Sequence, residues 1–251
     1  MAPGVSDTDG PGLADIDVVV LAGGLGTRLR GVLPDRPKIL APIGDEPYIA
    51  FLLDWLAHEG ASRIVFSLGH RANQVQSYLA TNPPHGLCVD SVIETEPAGT
   101  AGALRFVAPK LSSDPVMVMN GDSFIDANLS EFLRAHREGE CGVTILCVEL
   151  PDVSRFGRIE TDDRNRVTRF AEKDPDRVGA GLINAGVYLF DRTVLDDIVR
   201  GDAKSLERDV FGSLGDIGAH VVAGTFLDIG TPESLAAAEA ILRPYRRRPV
   251  Q

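Results

Sequence analysis

A glycine-rich segment with two nearby cations is the part of the sequence best suited to binding phosphate. Residues 21–30 read LAGGLGTRLR after a run of β-branched residues, and residues 36–42 read RPKILAP. Glycines let the backbone approach a ligand closely, so that amide hydrogens point at phosphate oxygens. Arg28 and Lys38 add the positive charge that a triphosphate needs. We therefore interpret the segment as a nucleotide phosphate site rather than an ordinary tight turn.

Two familiar phosphate-binding signatures do not fit this segment. A dinucleotide fingerprint that starts at Gly24 needs a glycine where Leu29 stands. A P-loop needs Gly-Lys followed by Ser or Thr, whereas Gly26 is followed by Thr27 and Arg28. The segment is therefore expected to hold a nucleotide in another way.

Two aspartates are candidates for holding a divalent cation. Asp122 lies in the Asn-Gly-Asp-Ser sequence at 120–123, directly after a predicted strand, and Asp228 precedes a predicted helix. Open α/β sheets bind their ligands at the carboxyl ends of the strands. Mg²⁺ is typically held by one or two carboxylates together with phosphate oxygens and waters. Either aspartate alone would be interpreted as a turn or capping residue, and their combination with the glycine-rich segment favours a metal site.

Hydrophobic periodicity predicts an α/β fold with a mainly parallel central sheet. Up to residue 139, apolar runs alternate with amphipathic segments, as in βαβ units whose helices cover both faces of a sheet. The expected strands are 17–22, 63–68, 87–93 and 116–119, and the expected helices are 48–59, 72–80, 100–107, 129–137 and 231–242. Later strands with little helix between them predict a small antiparallel insertion for a second substrate. These strands are expected at 143–149, 157–161, 166–171 and 183–190.

Composition narrows the classes of protein to which the chain can belong. Of its 251 residues 44% are hydrophobic, and we expect a single domain at 15–243 between a flexible leader at 1–14 and a basic tail at 244–251. A formal net charge of −11 argues against binding to nucleic acid, and no apolar run is long enough to span a membrane. The N-terminus does not read as a signal peptide, which predicts a cytoplasmic protein. The three cysteines are expected to be buried free thiols.

Taken in order, the glycine-rich segment, residues 120–123 and residues 227–231 resemble those of the sugar-1-phosphate nucleotidyltransferases. The resemblance runs from Asp17 to Leu242. Within that family the chain resembles the guanylyltransferases of D-glycero-D-manno-heptose 1-phosphate. The segments that carry this closer resemblance are 94–102, 183–188, 205–209 and 226–233. It implies a three-layer α/β/α Rossmann-like fold, Mg²⁺ as cofactor, and transfer of GMP from GTP to the sugar 1-phosphate with release of pyrophosphate.

The resemblance also implies roles for individual residues. The expected catalytic residues are Arg28, Lys38 and Asp122, and the expected Mg²⁺ ligands are Asp122 and Asp228. The residues expected to bind the nucleotide are Leu21, Ala22, Gly23, Gly24, Gly26, Thr27, Glu94, Gly99 and Thr100. Those expected to bind the sugar phosphate are Gly157, Glu172, Lys173 and Asn184. Glu94 is expected to recognise guanine, because a carboxylate accepts hydrogen bonds from both donors on the pairing edge of that base.

Two other functions stay open on the sequence. One is transfer of a uridylyl or thymidylyl group to another sugar 1-phosphate, such as glucose or N-acetylmuramate 1-phosphate. The other is a regulatory subunit that binds nucleotide sugars without turnover. The presence of Arg28, Lys38, Asp122 and Asp228 argues against a regulatory subunit, which would be free to lose one of them. The sequence also leaves open whether the chain forms a homo-oligomer.

Overall fold

Strands and helices alternate along the chain in a computed structural model that describes residues 12–29, 31–154, 156–171 and 179–245. The strands are β1 (Asp17–Ala22), β2 (Pro42–Ile43), β3 (Glu46–Pro47), β4 (Arg63–Leu68), β5 (Cys88–Ile93), β6 (Val116–Asn120), β7 (Ser123–Ile125), β8 (Val143–Leu150), β9 (Arg158–Thr161), β10 (Val167–Ala171), β11 (Gly181–Phe190), β12 (Gly218–Val222) and β13 (Phe226–Asp228). The α-helices are α1 (Tyr48–His58), α2 (Ala72–Thr81), α3 (Gly99–Val107), α4 (Leu129–Glu138), α5 (Arg192–Arg200) and α6 (Pro232–Leu242).

The largest sheet has nine strands, of which seven run in the order β10-β9-β11-β6-β1-β4-β5, while β8 pairs with β11 and β12. Its neighbouring strands β6, β1, β4 and β5 are parallel, as are β8 and β12. β11 runs antiparallel to β6, β8 and β9. The predicted fold class, with a mainly parallel central sheet, is confirmed, and the antiparallel strands extend that same sheet.

Helices cover both faces of the sheet. Alternation along β1 sends Val18 and Val20 into one buried apolar cluster and Val19 into the other. Residues of α1, α4 and α6 pack in the first cluster, among them Leu52, and residues of α3 and α5 pack in the second, among them Leu104. This arrangement is the three-layer α/β/α architecture that the resemblance implied.

The last helix begins where the sequence predicts. Thr231 is its N-cap, its hydroxyl accepts from the backbone N–H of Ser234, and Pro232 occupies the first helical position. The Ser234 hydroxyl accepts in return from the backbone N–H of Thr231. Such a capping box satisfies backbone donors that have no partner within the helix, and it fixes the point where the preceding loop ends.

Several elements were not predicted, because their sequence signal is short or non-local. β2, β3, β7 and β13 have two or three residues each, too few to show a periodicity. α5 is an exception, because it has nine residues and its apolar positions Val194, Leu195, Ile198 and Val199 form a local amphipathic pattern that was overlooked. β12 is stabilised by parallel pairing with β8, far away in sequence.

Three further expectations concern the ends of the chain, the thiols and membranes. Leu13 is only 2% exposed, so the packed part of the chain begins within the predicted leader, while residues 1–11 and 246–251 lie outside the described residues. Cys141 and Cys147 are buried as expected, whereas Cys88 is exposed because it begins the edge strand β5. Among the described helices, none is long and apolar enough to cross a membrane.

Candidate active site

The parallel strands bring the glycine-rich segment and Asp122 to one edge of the central sheet. β1 ends at Ala22, directly before the glycines, and its neighbour β6 ends at Asn120, just before Asp122. The backbone N–H of Gly121 donates to the carbonyl oxygen of Leu21 at 2.9 Å and continues this pairing past the end of β6. Parallel strands have their carboxyl ends on the same side, so segments that are far apart in sequence meet here.

These segments line a cleft of about 220 Å³. Its lining residues are Leu21, Ala22, Gly24, Gly26, Thr27, Arg28, Leu29, Lys38, Ile39, Gly121, Asp122 and Gly230. The sequence assigned all of them to nucleotide binding or catalysis except Leu29, Ile39, Gly121 and Gly230. The predicted nucleotide residues of this segment, except Gly23, therefore share one concave surface.

Lys38 lies between two carboxylates in this cleft. Its Nζ donates to Oδ2 of Asp122 and lies 3.4 Å from Oδ1 of Asp228. Buried Pro37 precedes the 3₁₀ turn that begins with Lys38 and orients it. The side chains of Lys38, Asp122 and Asp228 are 14%, 33% and 26% exposed, so the three charges remain in contact with solvent.

A short strand pair places Asp228 opposite this lysine. β13 pairs with β7 so that Asp228 is in register with Ser123, whose hydroxyl donates to Oδ1 of Asp122 at 3.2 Å. The N–H of Gly230 donates to Oδ1 of Asp228 at 2.7 Å. A Cβ on Gly230 would lie 2.6 Å from that oxygen and 2.9 Å from Nζ of Lys38, so a larger residue here would displace the ends of both charged side chains.

Glu94 packs directly against the glycine-rich turn. A Cβ on Gly23 would collide with the Glu94 carboxylate, and one on Gly69 would lie 2.5 Å from the carbonyl oxygen of Gly23. Ser67, fully buried on β4, donates from its hydroxyl to Oε1 of Glu94 at 2.9 Å. The absence of side chains at Gly23 and Gly69 therefore lets the turn, the end of β4 and the carboxylate approach one another.

A second polar cluster joins β11 to the first turn of α3. Nδ2 of Asn184 donates to the hydroxyl of Tyr188 at 2.9 Å, and that hydroxyl donates to Oε1 of Glu207 at 3.2 Å. The other carboxylate oxygen of Glu207 accepts from the hydroxyls of Thr100 at 3.3 Å and Ser205 at 3.1 Å. One carboxylate thus connects a residue expected at the sugar with one expected at the nucleotide.

Burial keeps two tyrosines protonated beside these carboxylates. Desolvation, followed by the negative charge of Glu207, raises the pKa of Tyr188 well above its usual value. Desolvation, followed by the charges of Asp122 and Asp228, does the same to the pKa of Tyr48. Both hydroxyls therefore remain neutral at physiological pH. That of Tyr188 donates to Glu207, whereas that of Tyr48 has no hydrogen-bond partner among the described residues.

Not every predicted residue lies in the cleft. Gly99 and Thr100 begin α3, where the Thr100 hydroxyl hydrogen is already committed to Glu207. Gly157 directly precedes β9, where a Cβ on it would lie 3.2 Å from a carbonyl oxygen of β10. The residues Glu172 and Lys173 lie outside the described part of the chain.

Sequence reasoning missed Ser67, Tyr188 and Glu207. Ser67 gave no signal of its own, because it lies inside an apolar strand and meets Glu94 only through the pairing of β4 with β5. Tyr188 and Glu207 lie inside segments that carried the resemblance, at 183–188 and 205–209, but nothing in their spacing indicated that they touch.

A comparison with known protein families identifies the family to which the chain belongs. A family model described as Nucleotidyl transferase matches residues 17–243. The chain belongs to the nucleotidyl transferase family. The family resemblance inferred from the order of the segments is therefore confirmed.

Individual relatives of this nucleotidyl transferase are named for guanylyl transfer. It is 37% identical over 90% of its length to mannose-1-phosphate guanylyltransferase of Mycobacterium tuberculosis, and it spans 64% of the length of that relative. It is 28% identical over 92% of its length to D-glycero-alpha-D-manno-heptose 1-phosphate guanylyltransferase of Aneurinibacillus thermoaerophilus, the whole of which it covers. The crystal structure of HddC from Yersinia pseudotuberculosis complexed with GMP-PN superimposes with a TM-score of 0.82 at 33% identity, covering 90% of this chain and 98% of that one.

Proposed function

We propose that this nucleotidyl transferase is a sugar-1-phosphate guanylyltransferase, which joins GMP from GTP to a sugar 1-phosphate and releases pyrophosphate. The observation that carries the proposal is the meeting of Lys38, Asp122 and Asp228 beside the glycine-rich turn. That cluster combines a cation for phosphate oxygens with two oxygen donors for a metal. The names of the relatives, and the GMP-PN bound to HddC, support guanine as the base.

Catalysis of this reaction depends on positioning the substrates more than on acid–base groups of the protein. The second pKa of a phosphate monoester is about 6, so a sugar 1-phosphate is already a charged nucleophile at neutral pH. One of its oxygens attacks the α-phosphorus in line, and the bond between that phosphorus and the pyrophosphate oxygen breaks. Backbone amides of the glycine-rich turn, Thr27 and Arg28 would hold the phosphates, and Lys38 would stabilise the charge that develops at the α-phosphate.

The residues at the cleft fit a divalent cation. Lys38 already demonstrates that a single positive charge reaches both Asp122 and Asp228. Carboxylate oxygens are hard ligands of the kind that Mg²⁺ takes, together with waters and substrate phosphates. Bound Mg²⁺ would neutralise charge on the phosphates. Lys38 would then be free to turn from the carboxylates to the nucleotide, which its partial exposure allows.

Glu94 is the residue proposed to recognise the base. Ser67 uses one lone pair of Oε1, and the remaining lone pairs of the carboxylate can accept from N1–H and the amino group of guanine. Uracil and thymine present one donor between two acceptors, so a carboxylate matches them less well. The contact with Gly23 places this carboxylate next to the turn that would hold the phosphates.

The proposed acceptor is a sugar 1-phosphate of manno configuration. The names of both relatives specify such a sugar, one a heptose and the other mannose. We take D-glycero-D-manno-heptose 1-phosphate as the first candidate, with mannose 1-phosphate as the second because of the 37% identical relative. Asn184 and Gly157 would line its pocket, with Glu172 and Lys173.

A matrix of substrates tests this function. GTP, ATP, UTP and dTTP are each combined with the 1-phosphates of the heptose, mannose, glucose and N-acetylmuramate, and pyrophosphate release is followed with Mg²⁺ and with excess EDTA. The expected result is the highest kcat/KM for GTP with a manno-configured acceptor, and no turnover in EDTA. Preference for UTP or dTTP would contradict the assignment of guanylyl transfer. Absence of turnover with every pair of substrates would contradict the proposal that the protein is an active enzyme.

A further inference from the structure

The amide of Asn184 is held in one orientation within the protein. Its Oδ1 accepts from the backbone N–H of Gly186 at 2.7 Å, and its Nδ2 donates to the hydroxyl of Tyr188 at 2.9 Å. Gly186 has a φ of +76°, and between Asn184 and Tyr188 the pairing of β11 with β8 changes register. This irregularity lets the amide turn back onto its own strand, so that both of its ends find partners there.

Glu207 fixes the direction of the hydrogen bond that Tyr188 makes to it. An ionised carboxylate only accepts, so Tyr188 must give its single hydroxyl hydrogen to Oε1 of Glu207. The phenolic oxygen is then left as an acceptor, and Asn184 presents Nδ2 to it, in the same orientation that the N–H of Gly186 requires of Oδ1. The side chain of Asn120 also hydrogen-bonds to this hydroxyl. Tyr188 is fully buried, so water does not substitute for either partner.

Glu207 is in turn fixed from the side of α3. It lies in a π-helical turn, Leu206–Val210, and its Oε2 accepts from the hydroxyls of Thr100 and Ser205. The backbone N–H of Leu206 donates to the hydroxyl oxygen of Thr100 at 2.8 Å. Both the carboxylate and the turn that carries it are thus docked on the first residues of α3, away from the strand that it orients.

We propose that Glu207 is a positioning residue that, through Tyr188, holds the Asn184 amide in the orientation in which it faces the acceptor sugar. This inference rests on the proposed function, because it takes Asn184 to line the sugar pocket. Asn184 keeps one N–H and one lone pair of Oδ1 for a ligand, and these would exchange places if the amide turned over. Glu207, acting through Tyr188 and together with the N–H of Gly186, therefore fixes whether a given sugar hydroxyl meets a donor or an acceptor.

The variants Glu207→Gln and Tyr188→Phe test the proposal. Glutamine keeps the size of the side chain but replaces one acceptor by a donor, and phenylalanine removes the hydroxyl between Glu207 and Asn184. Each variant should raise the KM for the preferred sugar 1-phosphate about tenfold, which corresponds to about 1.4 kcal/mol, and leave the KM for GTP within about twofold. The double variant should be no worse than the more impaired single variant, because both act through the same amide.

Controls and a binding measurement make the outcome decisive. Glu138→Gln, which removes an exposed carboxylate paired with Arg134 on α4, should change neither KM. Thermal unfolding shows whether each variant is folded, and Glu207→Gln alone decides the question if Tyr188→Phe is not. An unchanged KM for the sugar 1-phosphate, equal rises in both KM values, or additive effects would overturn the positioning role.

Calorimetric titration of the wild-type protein with the sugar 1-phosphate separates this inference from the function beneath it. A wild type that turns over its substrates normally, with Glu207→Gln indistinguishable from it, overturns the inference alone. A wild type that neither binds a sugar 1-phosphate nor releases pyrophosphate overturns the proposed function and the inference together.

Discussion

The two polar clusters of this nucleotidyl transferase are built in opposite ways. Lys38, Asp122 and Asp228 are all ionisable, and their side chains are 14–33% exposed at the edge of the central sheet. Tyr188 is fully buried and passes one hydrogen bond in a single direction to Glu207. The first cluster has mutually attracted charges in contact with solvent, and the second has a hydrogen-bond chain anchored in the interior.

The difference indicates which groups change partners during the reaction. Charges that remain in contact with solvent are screened and partly hydrated, so a substrate phosphate can replace one partner of Lys38 at a lower cost than in a dry interior. A buried polar group that loses its partner costs roughly 1–3 kcal/mol. The Lys38 cluster is therefore suited to exchange its partners when substrates bind, and the Tyr188 cluster is suited to keep a side chain still.

The largest effect is expected for Lys38→Ala. If Lys38 moves from the carboxylates to the α-phosphate, its removal should lower kcat by about a hundredfold or more, as loss of an electrostatic transition-state group does. Lys110→Ala is the matched control, because Lys110 is 48% exposed and pairs with Asp90 away from the cleft. A near-normal kcat in folded Lys38→Ala would break the idea that this cluster exchanges partners.

The next effect in size is expected for Asp122→Asn and Asp228→Asn. Each removes one charged oxygen donor, so the Mg²⁺ concentration for half-maximal activity should rise at least about tenfold, the size seen when a partner of a metal ligand is lost. Asp197→Asn, an exposed carboxylate paired with Arg200, should leave the Mg²⁺ titration unchanged. Unchanged half-saturation in both site variants would show that these carboxylates serve only to hold Lys38.

A smaller effect is expected for Glu94→Gln, which tests the base. In this variant the pairing edge of guanine no longer matches the side chain, and a polar group left without a partner costs roughly 1–3 kcal/mol. The kcat/KM for GTP should therefore fall, and the ratio of kcat/KM for GTP to that for UTP should become smaller. Glu96→Gln is the control, since Glu96 is close in sequence but exposed. An unchanged ratio of GTP to UTP in Glu94→Gln, or a change confined to Glu96→Gln, would show that Glu94 does not read the base.

The smallest effect is expected for Gly23→Ala, which sharpens the same test without altering Glu94. The added methyl group must displace the Glu94 carboxylate from Ser67, at a cost of about 1 kcal/mol in the free energy of unfolding. The ratio of kcat/KM for GTP to that for UTP should become smaller, as in Glu94→Gln. Gly215→Ala is the control, because a Cβ there meets no atom of the protein within 4 Å and Gly215 does not line the cleft. Equal base preference in the two alanine variants would contradict the placement of Glu94.

Local features of the fold could be predicted because neighbouring residues determine them. The β-branched run at 17–22, the apolar stripe of α1 and the Thr231 cap all depend on residues within a few positions of each other. Asp122 was also assigned correctly to the edge formed by the carboxyl ends of the strands, because it follows the parallel strand β6. Short strands such as β7 and β13 escaped prediction, because their stability comes from each other.

The sequence by itself determined which residue types were available for the chemistry: a glycine-rich turn, a lysine after a proline, one carboxylate after a strand and one before a helix. Only the tertiary structure decided which of them touch. Lys38 meets Asp228 across 190 positions, and Thr100 meets Glu207 across 107. Strand order and register set these contacts, and they follow from burying apolar faces on both sides of one sheet rather than from the spacing of polar residues along the chain.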